Sequence, residues 1–324
     1  MSNLIEIKNL TISFEIEGGK IIAVDNSSFE IKRGQVVGLV GESGCGKSVT
    51  AMSILRLLPM PPGKYESGEI IFDEKNIRTL SIPELNKVRG ARIGMIFQEP
   101  MTALSPLMKI GNQISETLQT HHKMTKAETW ACGVEWLKKV GISDAEQKMN
   151  SFPFELSGGM RQRVMIAMAQ MLEPDLIIAD EPTTALDVTI QAQVFELMKE
   201  VRGNESSMLL ITHDMGVIWE NCDRVIVMYA SQIIEMGSLH EIFTDAKHPY
   251  TQGLLKAVPK LDEQMGRMET IEGNVPAPSN YPKGCHFSTR CPHATDKCHN
   301  KKPPMTIIND SHKVKCFLAT EEGV

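Results

Sequence analysis

The stretch Gly41-Glu42-Ser43-Gly44-Cys45-Gly46-Lys47-Ser48 constrains the fold more than any other part of the chain. An apolar run, Val36-Val37-Gly38-Leu39-Val40, precedes it and reads as a buried parallel strand. Val49 to Leu58 follows as an apolar-rich helix that Pro59 stops. Strand, glycine-rich loop and helix, with Lys-Ser at the helix start, is the setting in which such a loop cradles phosphates. Glycines let the backbone curl so that successive N–H groups point inward, and the helix N-terminus adds its partial positive charge. Lys47 would reach the β- and γ-phosphates of a nucleotide, and the Ser48 hydroxyl would hold Mg²⁺. Residues Gly41 to Ser48, with Val49 opening the helix, are therefore candidate nucleotide-binding residues. A plain glycine turn is the bland alternative, and the full pattern in its context outweighs it.

The residues before the loop alternate in short strand-like runs: Leu4 to Leu10, Thr11 to Ile16, Ile21 to Val24 and Ser28 to Ile31, with turns at Gly18-Gly19 and Arg33-Gly34. Phe14 is a candidate to stack on an adenine ring, against the blander role of core packing. Beyond the loop, Gly68 to Asp73 reads as a strand, and Arg92 to Gln98 as another that ends in an amide able to approach a nucleotide's metal and water. From Ile110 to about Asn150 the pattern is helical, carrying Trp130 and Trp136, and reads as an insertion between two halves of a nucleotide-binding core.

Leu156-Ser157-Gly158-Gly159-Met160 then opens a helix running to about Leu172. Serine and two glycines at a helix start bind anions through backbone N–H groups, so this is a second phosphate-binding geometry in one chain. Leu176-Ile177-Ile178-Ala179-Asp180-Glu181 is an apolar strand ending in two acids. Buried carboxylates are costly unless they hold a metal or move a proton. Asp180 fits a Mg²⁺-holding acid, and Glu181 a base that polarises an attacking water. Thr184 to Asp187 forms a turn into the next helix, and the strand Met208 to Ile211 ends at Thr212-His213-Asp214. Ligands in open α/β sheets bind at such strand ends, which makes His213 a candidate although a lone histidine is usually structural.

The chain's 324 residues suit one large domain or two, and 42% hydrophobic with 23% charged residues is ordinary globular composition. No window approaches the roughly 20 consecutive apolar residues that span a bilayer, and the first residues lack a signal peptide's charged and apolar regions. A net charge of −6 gives no electrostatic support to a nucleic-acid partner. Of seven cysteines, Cys285, Cys291, Cys298 and Cys316 crowd near the end, spaced C-x5-C-x6-C-x17-C. An odd total without an export signal argues against a disulfide framework. Zinc favours close cysteine pairs, which are absent, and the simple ferredoxin spacings do not match. On the residues alone, an iron–sulfur cluster, zinc and reduced structural thiols all stay open.

Over roughly residues 1 to 240 the ordered set Gly41–Ser48, Gln98, Leu156–Met160, Asp180–Glu181, Asp187 and His213 resembles the ATP-binding subunits of ABC transporters. Met160 stands where the family signature usually has Gln. That variant is similar to the oligopeptide, dipeptide and nickel importer branch, as are Gln98 to Pro106 and Leu186 to Gln193. The resemblance implies an α/β P-loop NTPase cassette over 1–240, with an antiparallel β subdomain and a helical subdomain at about 100–157. A C-terminal extension over 241–324 would carry the cysteines. The stretch Gly284 to Pro292 is similar to the peptide-importer tail, for which the resemblance implies a [4Fe–4S] cluster on the four cysteines, with Zn²⁺ as the alternative.

The implied function is ATP hydrolysis that energises import of di- or oligopeptides, with nickel or another metal chelate as alternative cargo. ATP and Mg²⁺ would be held by Lys47, Ser48, Asp180 and Gln98, with Glu181 activating water and His213 on the γ-phosphate. Ser157 and Gly159 would clamp the nucleotide from across a head-to-tail pair, and Gly158 and Asp187 are further candidate nucleotide-binding residues. The implied partners are a second, similar ATP-binding subunit (a heterodimer, with a homodimer as the other form), two transmembrane permease subunits and, indirectly, an extracytoplasmic solute-binding protein. The implied place is the cytoplasmic face of the inner membrane, as a peripheral subunit. A soluble ABC ATPase of DNA repair or ribosomes is disfavoured by the single cassette, the lack of a heptad run and the negative charge. The extension lies far in sequence from Lys47 and Glu181, so its loss is expected to impair folding or assembly more than nucleotide binding.

Overall fold

A computed structural model describes residues 2–183, 188–203, 205–257 and 271–320. Twelve strands lie among them: β1 (Asn3–Ile16), β2 (Gly19–Lys32), β3 (Val36–Val40), β4 (Gly63–Phe72), β5 (Lys75–Asn76), β6 (Ile93–Ile96), β7 (Leu176–Asp180), β8 (Ser207–Thr212), β9 (Arg224–Tyr229), β10 (Gln232–Ser238), β11 (Thr306–Ile307) and β12 (Lys313–Val314). The chain divides into two compact units, one made of residues 3–78 and 210–324, the other of 79–209 with Ser2. Residue 240, the expected domain boundary, falls inside the first unit.

In the first unit, β1 pairs antiparallel with β2 and β4, and β4 with β5, giving the order β2-β1-β4-β5. The four short strands expected over the first 32 residues are two long ones. Asn9 and Asn26 sit at φ 48° and 47°, and register shifts flank Leu10, so the chain bulges without breaking. Asparagine visits this left-handed region more readily than most residues, which lets a strand continue where alternation is lost.

The nucleotide-loop sheet of the same unit contains the buried strand β3 parallel to β9, with Leu39 opposite Ile226. A tight turn at Ala230-Ser231, both at positive φ, folds β9 back onto β10. The C-terminal residues extend this sheet, with β12 pairing antiparallel to β10 and β11 to β12. The extension has few large apolar residues and builds its core with the cassette. Phe287, 2% exposed, packs its ring edge-on to Tyr229 and Tyr250 at centroid distances of 5.2 and 5.5 Å. Buried Glu235 on β10 accepts from His312 Nε2 at 2.8 Å and from the backbone N–H groups of Lys247 and His248 at 2.6 and 3.0 Å. Those three bonds satisfy a carboxylate that burial alone would penalise heavily.

The second unit contains β6 parallel to β7, with Ile93 opposite Leu176, and the expected helical segment. Helices Ile110–His121 and Lys126–Lys139 pack there, the latter opened by a capping box in which Thr125 and Glu128 serve each other's backbone. Gly111 lies so close to the Trp130 ring that a Cβ would meet it at 2.4 Å, which sets how near the two helices come. β8 begins in this unit and ends in the other. No helix among the described residues is long and apolar enough to cross a membrane.

Candidate functional site

The phosphate-binding loop lies in the first unit, between β3 and the helix Lys47–Ile54. The helix is shorter than expected, because Arg56 turns to φ 51° ahead of the proline. Gly46 caps it at φ 105°, and a Cβ there would lie 2.2 Å from the Ala23 carbonyl oxygen. At Gly41 a Cβ would lie 2.1 Å from the carbonyl oxygen of Met228. These two positions exclude side chains for steric reasons as well as for phosphate access. Glycine at the cap has no side chain to accept from the first turn's N–H groups.

Lys47 is buried, and its Nζ donates to the carbonyl oxygens of Gly41 at 2.7 Å and Glu42 at 3.2 Å. Ser43 and Gly44 are exposed, whereas Ser48 and Val49 are half-buried in the first turn. Cys45 is buried, and burial raises its thiol above the ordinary range, making it a packing residue of the loop. Two residues that sequence reasoning missed hold Glu42: Tyr250 and Arg290. Neither has a local sequence signal, since Arg290 stands 248 positions away. Phe14 lies half-buried on β1, its ring 3.2 Å from where a Cβ of Gly63 would stand. His213 follows β8 and is exposed, and Asp214 after it caps the helix Met215–Asn221 by accepting from Gly216 and Val217 N–H groups.

In the second unit Asp180 ends β7 and is 4% exposed, while Glu181 next to it is half-buried. Glu181 takes φ 45°, a left-handed conformation costing a non-glycine residue roughly 1 kcal/mol. Strand β6 stops at Ile96, two residues earlier than Gln98, which is therefore free of strand pairing and exposed. Its Nε2 donates to Glu181 Oε2 at 3.1 Å, which joins two of the expected residues. Buried Gln162, another residue without a sequence signal, donates from Nε2 to the Pro182 carbonyl and ties the 181–182 turn to the helix Gly158–Gln170.

Ser157 caps that helix, its Oγ accepting from Met160 N–H at 3.3 Å. The helix is oriented by two arginines: Arg161 Nε donates to Pro153 O at 2.6 Å, and Arg163 Nη1 to Val140 O at 2.7 Å. A Cβ on Gly158 or Gly159 would meet no atom within 4 Å. Among the described residues nothing requires glycine at either position. Asp187 lies outside the described residues.

Three of the extension's four cysteines, Cys285, Cys291 and Cys316, feel their neighbours. Burial pushes the Cys285 thiol up to about 11, and Cys298, Cys316 and Cys291 add to the rise. Burial raises Cys291 and Cys316 as well, each with help from Cys298. The thiols are thus neighbours. They do not form the ligand set that the sequence suggests: among the described residues no group of three or more His, Cys, Asp or Glu side chains is arranged to hold a metal ion.

The chain matches the ABC transporter family over residues 24–184 and the C-terminal region of oligopeptide/dipeptide transporters over 234–298. It is 48% identical over 324 residues to the oligopeptide transport ATP-binding protein AppD of Bacillus subtilis, covering 100% of this chain and 99% of that protein. The dipeptide transport ATP-binding protein DppD of the same organism is 47% identical, covering 100% and 97%. Among solved structures, the dimeric ATP-binding cassette MJ0796, in a post-hydrolysis state bound to ADP and Pi, superposes with TM-score 0.64 at 29% identity, covering 72% of this chain and 98% of that one. CbiO1 from Clostridium perfringens, part of the ABC transporter complex cbiONQ, superposes with TM-score 0.62 at 27% identity, covering 76% and 92%. The expected cassette fold is borne out, and the chain belongs to the ABC transporter family as an ATP-binding ATPase subunit carrying the C-terminal region of oligopeptide/dipeptide transporters.

Proposed function

We propose that this subunit hydrolyses ATP to energise import of di- or oligopeptides through a membrane complex, bound peripherally at the cytoplasmic face. The observation that carries the cargo class is the C-terminal region, matched over 234–298 together with near-full-length similarity to peptide-transport subunits. In this reading Lys47 and the loop amides hold the phosphates, and Ser48, Asp180 and Gln98 hold Mg²⁺. Glu181 activates the water, His213 contacts the γ-phosphate, and Phe14 stacks on the base. Gln98 bonded to Glu181 supports a shared role for that pair at the attacking water. Phosphoryl transfer needs positioning and charge stabilisation more than covalent chemistry.

Ser157, Gly158, Gly159 and Asp187 serve a nucleotide held by a second, similar cassette. The open space around the two glycines supports this. Phe97 and Leu107, exposed near the Gln98–Pro106 segment, supply an apolar face for the two permease subunits. Reconstitution of the complex with its solute-binding protein tests the reading. Peptide should stimulate ATP hydrolysis and enter vesicles, and stimulation by a nickel chelate alone would move the cargo to the other branch. Mass spectrometry of the native complex should find one copy of this chain beside a distinct cassette; two copies and no second cassette would make it a homodimer.

For Cys285, Cys291, Cys298 and Cys316 the proposed ligand is a [4Fe–4S] cluster, with Zn²⁺ as alternative. What supports a metal is the crowding of four cysteines into residues 285–316, which begins within the region matched to oligopeptide/dipeptide transporters over 234–298. The arrangement of the side chains does not itself form a ligand set. Anaerobic purification followed by iron, sulfide and zinc assays should find iron with sulfide. Zinc without iron transfers the site to zinc, and neither metal leaves the cysteines as structural thiols.

A further inference from the structure

The C-terminal extension reaches into the phosphate-binding loop through one side chain. The Arg290 side chain is 5% exposed and forms a fork on the Glu42 carboxylate, Nη1 to Oε2 at 2.7 Å and Nη2 to Oε1 at 3.1 Å. Its Nε donates to the Glu272 carbonyl at 3.0 Å, Nη2 also to the Ile271 carbonyl at 3.1 Å, and Nη1 also to Tyr229 Oη at 3.4 Å. A guanidinium has five N–H donors, and each has a partner here. Such complete satisfaction in a buried place is costly to build and is unnecessary for merely tethering a tail, for which surface pairs such as Lys302 with Asp25 suffice.

Glu42 is held equally fully. Its N–H donates to Tyr250 Oη at 2.9 Å, its carboxylate takes Arg290, and its carbonyl accepts from Lys47 Nζ. One residue thus joins the extension's arginine to the lysine that meets phosphate. A second brace runs nearby: the Ser231 N–H donates to the Cys45 carbonyl at 3.0 Å, and His286 Nδ1 of the extension bonds the adjacent Ala230 carbonyl at 2.7 Å. The loop's curl, which glycines make available, is therefore fixed from outside the loop.

We infer that Arg290 is a positioning residue for nucleotide binding, presetting the phosphate-binding loop through Glu42, so that the extension forms part of the nucleotide site. Flexible loops give up entropy on closing round a ligand, and a braced loop gives up less. By linkage, whatever the brace contributes to nucleotide affinity, bound nucleotide returns to the stability of the extension. The inference rests on the assignment of Gly41–Ser48 as the nucleotide site.

The test is Mg·ADP affinity of the full-length chain, read with a fluorescent ADP analogue, for Arg290→Gln, Arg290→Lys, Glu42→Gln and the double variant Arg290→Gln/Glu42→Gln. Losing a charge-assisted fork should weaken binding about tenfold or more in Arg290→Gln and in Glu42→Gln. Arg290→Lys, which keeps the charge without the fork, should fall between. The double variant should be no weaker than the worse single one, because both remove the same contact. Hydrogen exchange of backbone amides 285–292 should slow when Mg·ADP binds the parent and not when it binds Glu42→Gln. That second readout covers the case in which Arg290→Gln fails to fold. Lys47→Ala separates the two ideas: if it binds Mg·ADP like the parent, the site assignment fails. If Lys47→Ala loses binding while Arg290→Gln and Glu42→Gln stay within twofold of the parent, the positioning role is overturned.

Discussion

Acidification should destabilise this chain through one histidine. His248 is 1% exposed at the start of the helix Pro249–Lys256, and its Nδ1 accepts from the Tyr250 N–H at 3.0 Å. Its Nε2 is buried with no hydrogen-bond partner among the described residues, and Phe287 packs 5.7 Å from its ring. Burial lowers its pKa from 6.5 to about 4, and the nearby Glu235 charge only partly opposes this. The folded state therefore binds fewer protons than the unfolded state between those two values. Stability from the neutral ring is fully present above about pH 6.5 and is lost as pH falls toward 4. A shift of this size corresponds to roughly 3 kcal/mol. His248→Asn removes the titration while an amide oxygen can still cap the helix. Urea denaturation of both proteins from pH 7 to 4.5 should show the parent losing most of that amount and the variant losing much less. The variant will be less stable at every pH because it gives up packing on Phe287. Parallel pH profiles for the two would refute the argument.

Glu181→Gln should keep Mg·ATP binding, trap a closed pair and lower turnover by about two to four orders of magnitude, measured as phosphate release by the assembled complex; parental turnover would remove Glu181 from the base role. Gly159→Ala should leave thermal stability within about 1 kcal/mol of the parent or raise it, since a Cβ there meets nothing within 4 Å among the described residues. Hydrolysis by the complex should nevertheless fall, and full activity would mean that nothing approaches that helix start closely.

Much of the nucleotide chemistry was legible because it is local. Strand, loop and helix follow one another from Val36 to Ile54, and the two acids close the strand that bears them. Backbone geometry dictates these spacings, so one stretch of sequence shows them. The long strands β1 and β2 read in sequence as four shorter runs because alternation shifts after Leu10 and lapses over 25–27, whereas the ladder absorbs both places through register shifts, with Asn9 and Asn26 at positive φ. Gln98 was legible as a residue near a strand end, and its bond to Glu181 was not, since it spans 83 positions. Arg290 was illegible for the same reason on a larger scale. It sits in the sequence as one basic residue beside a cysteine, and only its buried side chain and its five hydrogen bonds to four residues distinguish it.

The expectation that the extension matters to folding and assembly more than to nucleotide binding rested on sequence distance, and the contacts point the other way. Glu42, Cys45 and Lys47 are each bonded to groups that fix the loop, two of them through residues after 228. The helix start at Ser157 has the opposite character. Its serine caps its own helix, arginines fix its direction from behind, and its two glycines face open space. One candidate anion-binding helix start is braced by its own chain, and the other, among the described residues, is capped by Ser157 with open space beside its glycines. A chain that hydrolysed ATP alone would have no use for a second such end kept rigid yet unoccupied by its own side chains. Two chains that exchange these ends would use both, which is why nucleotide affinity should follow the extension, whereas turnover should follow the partner.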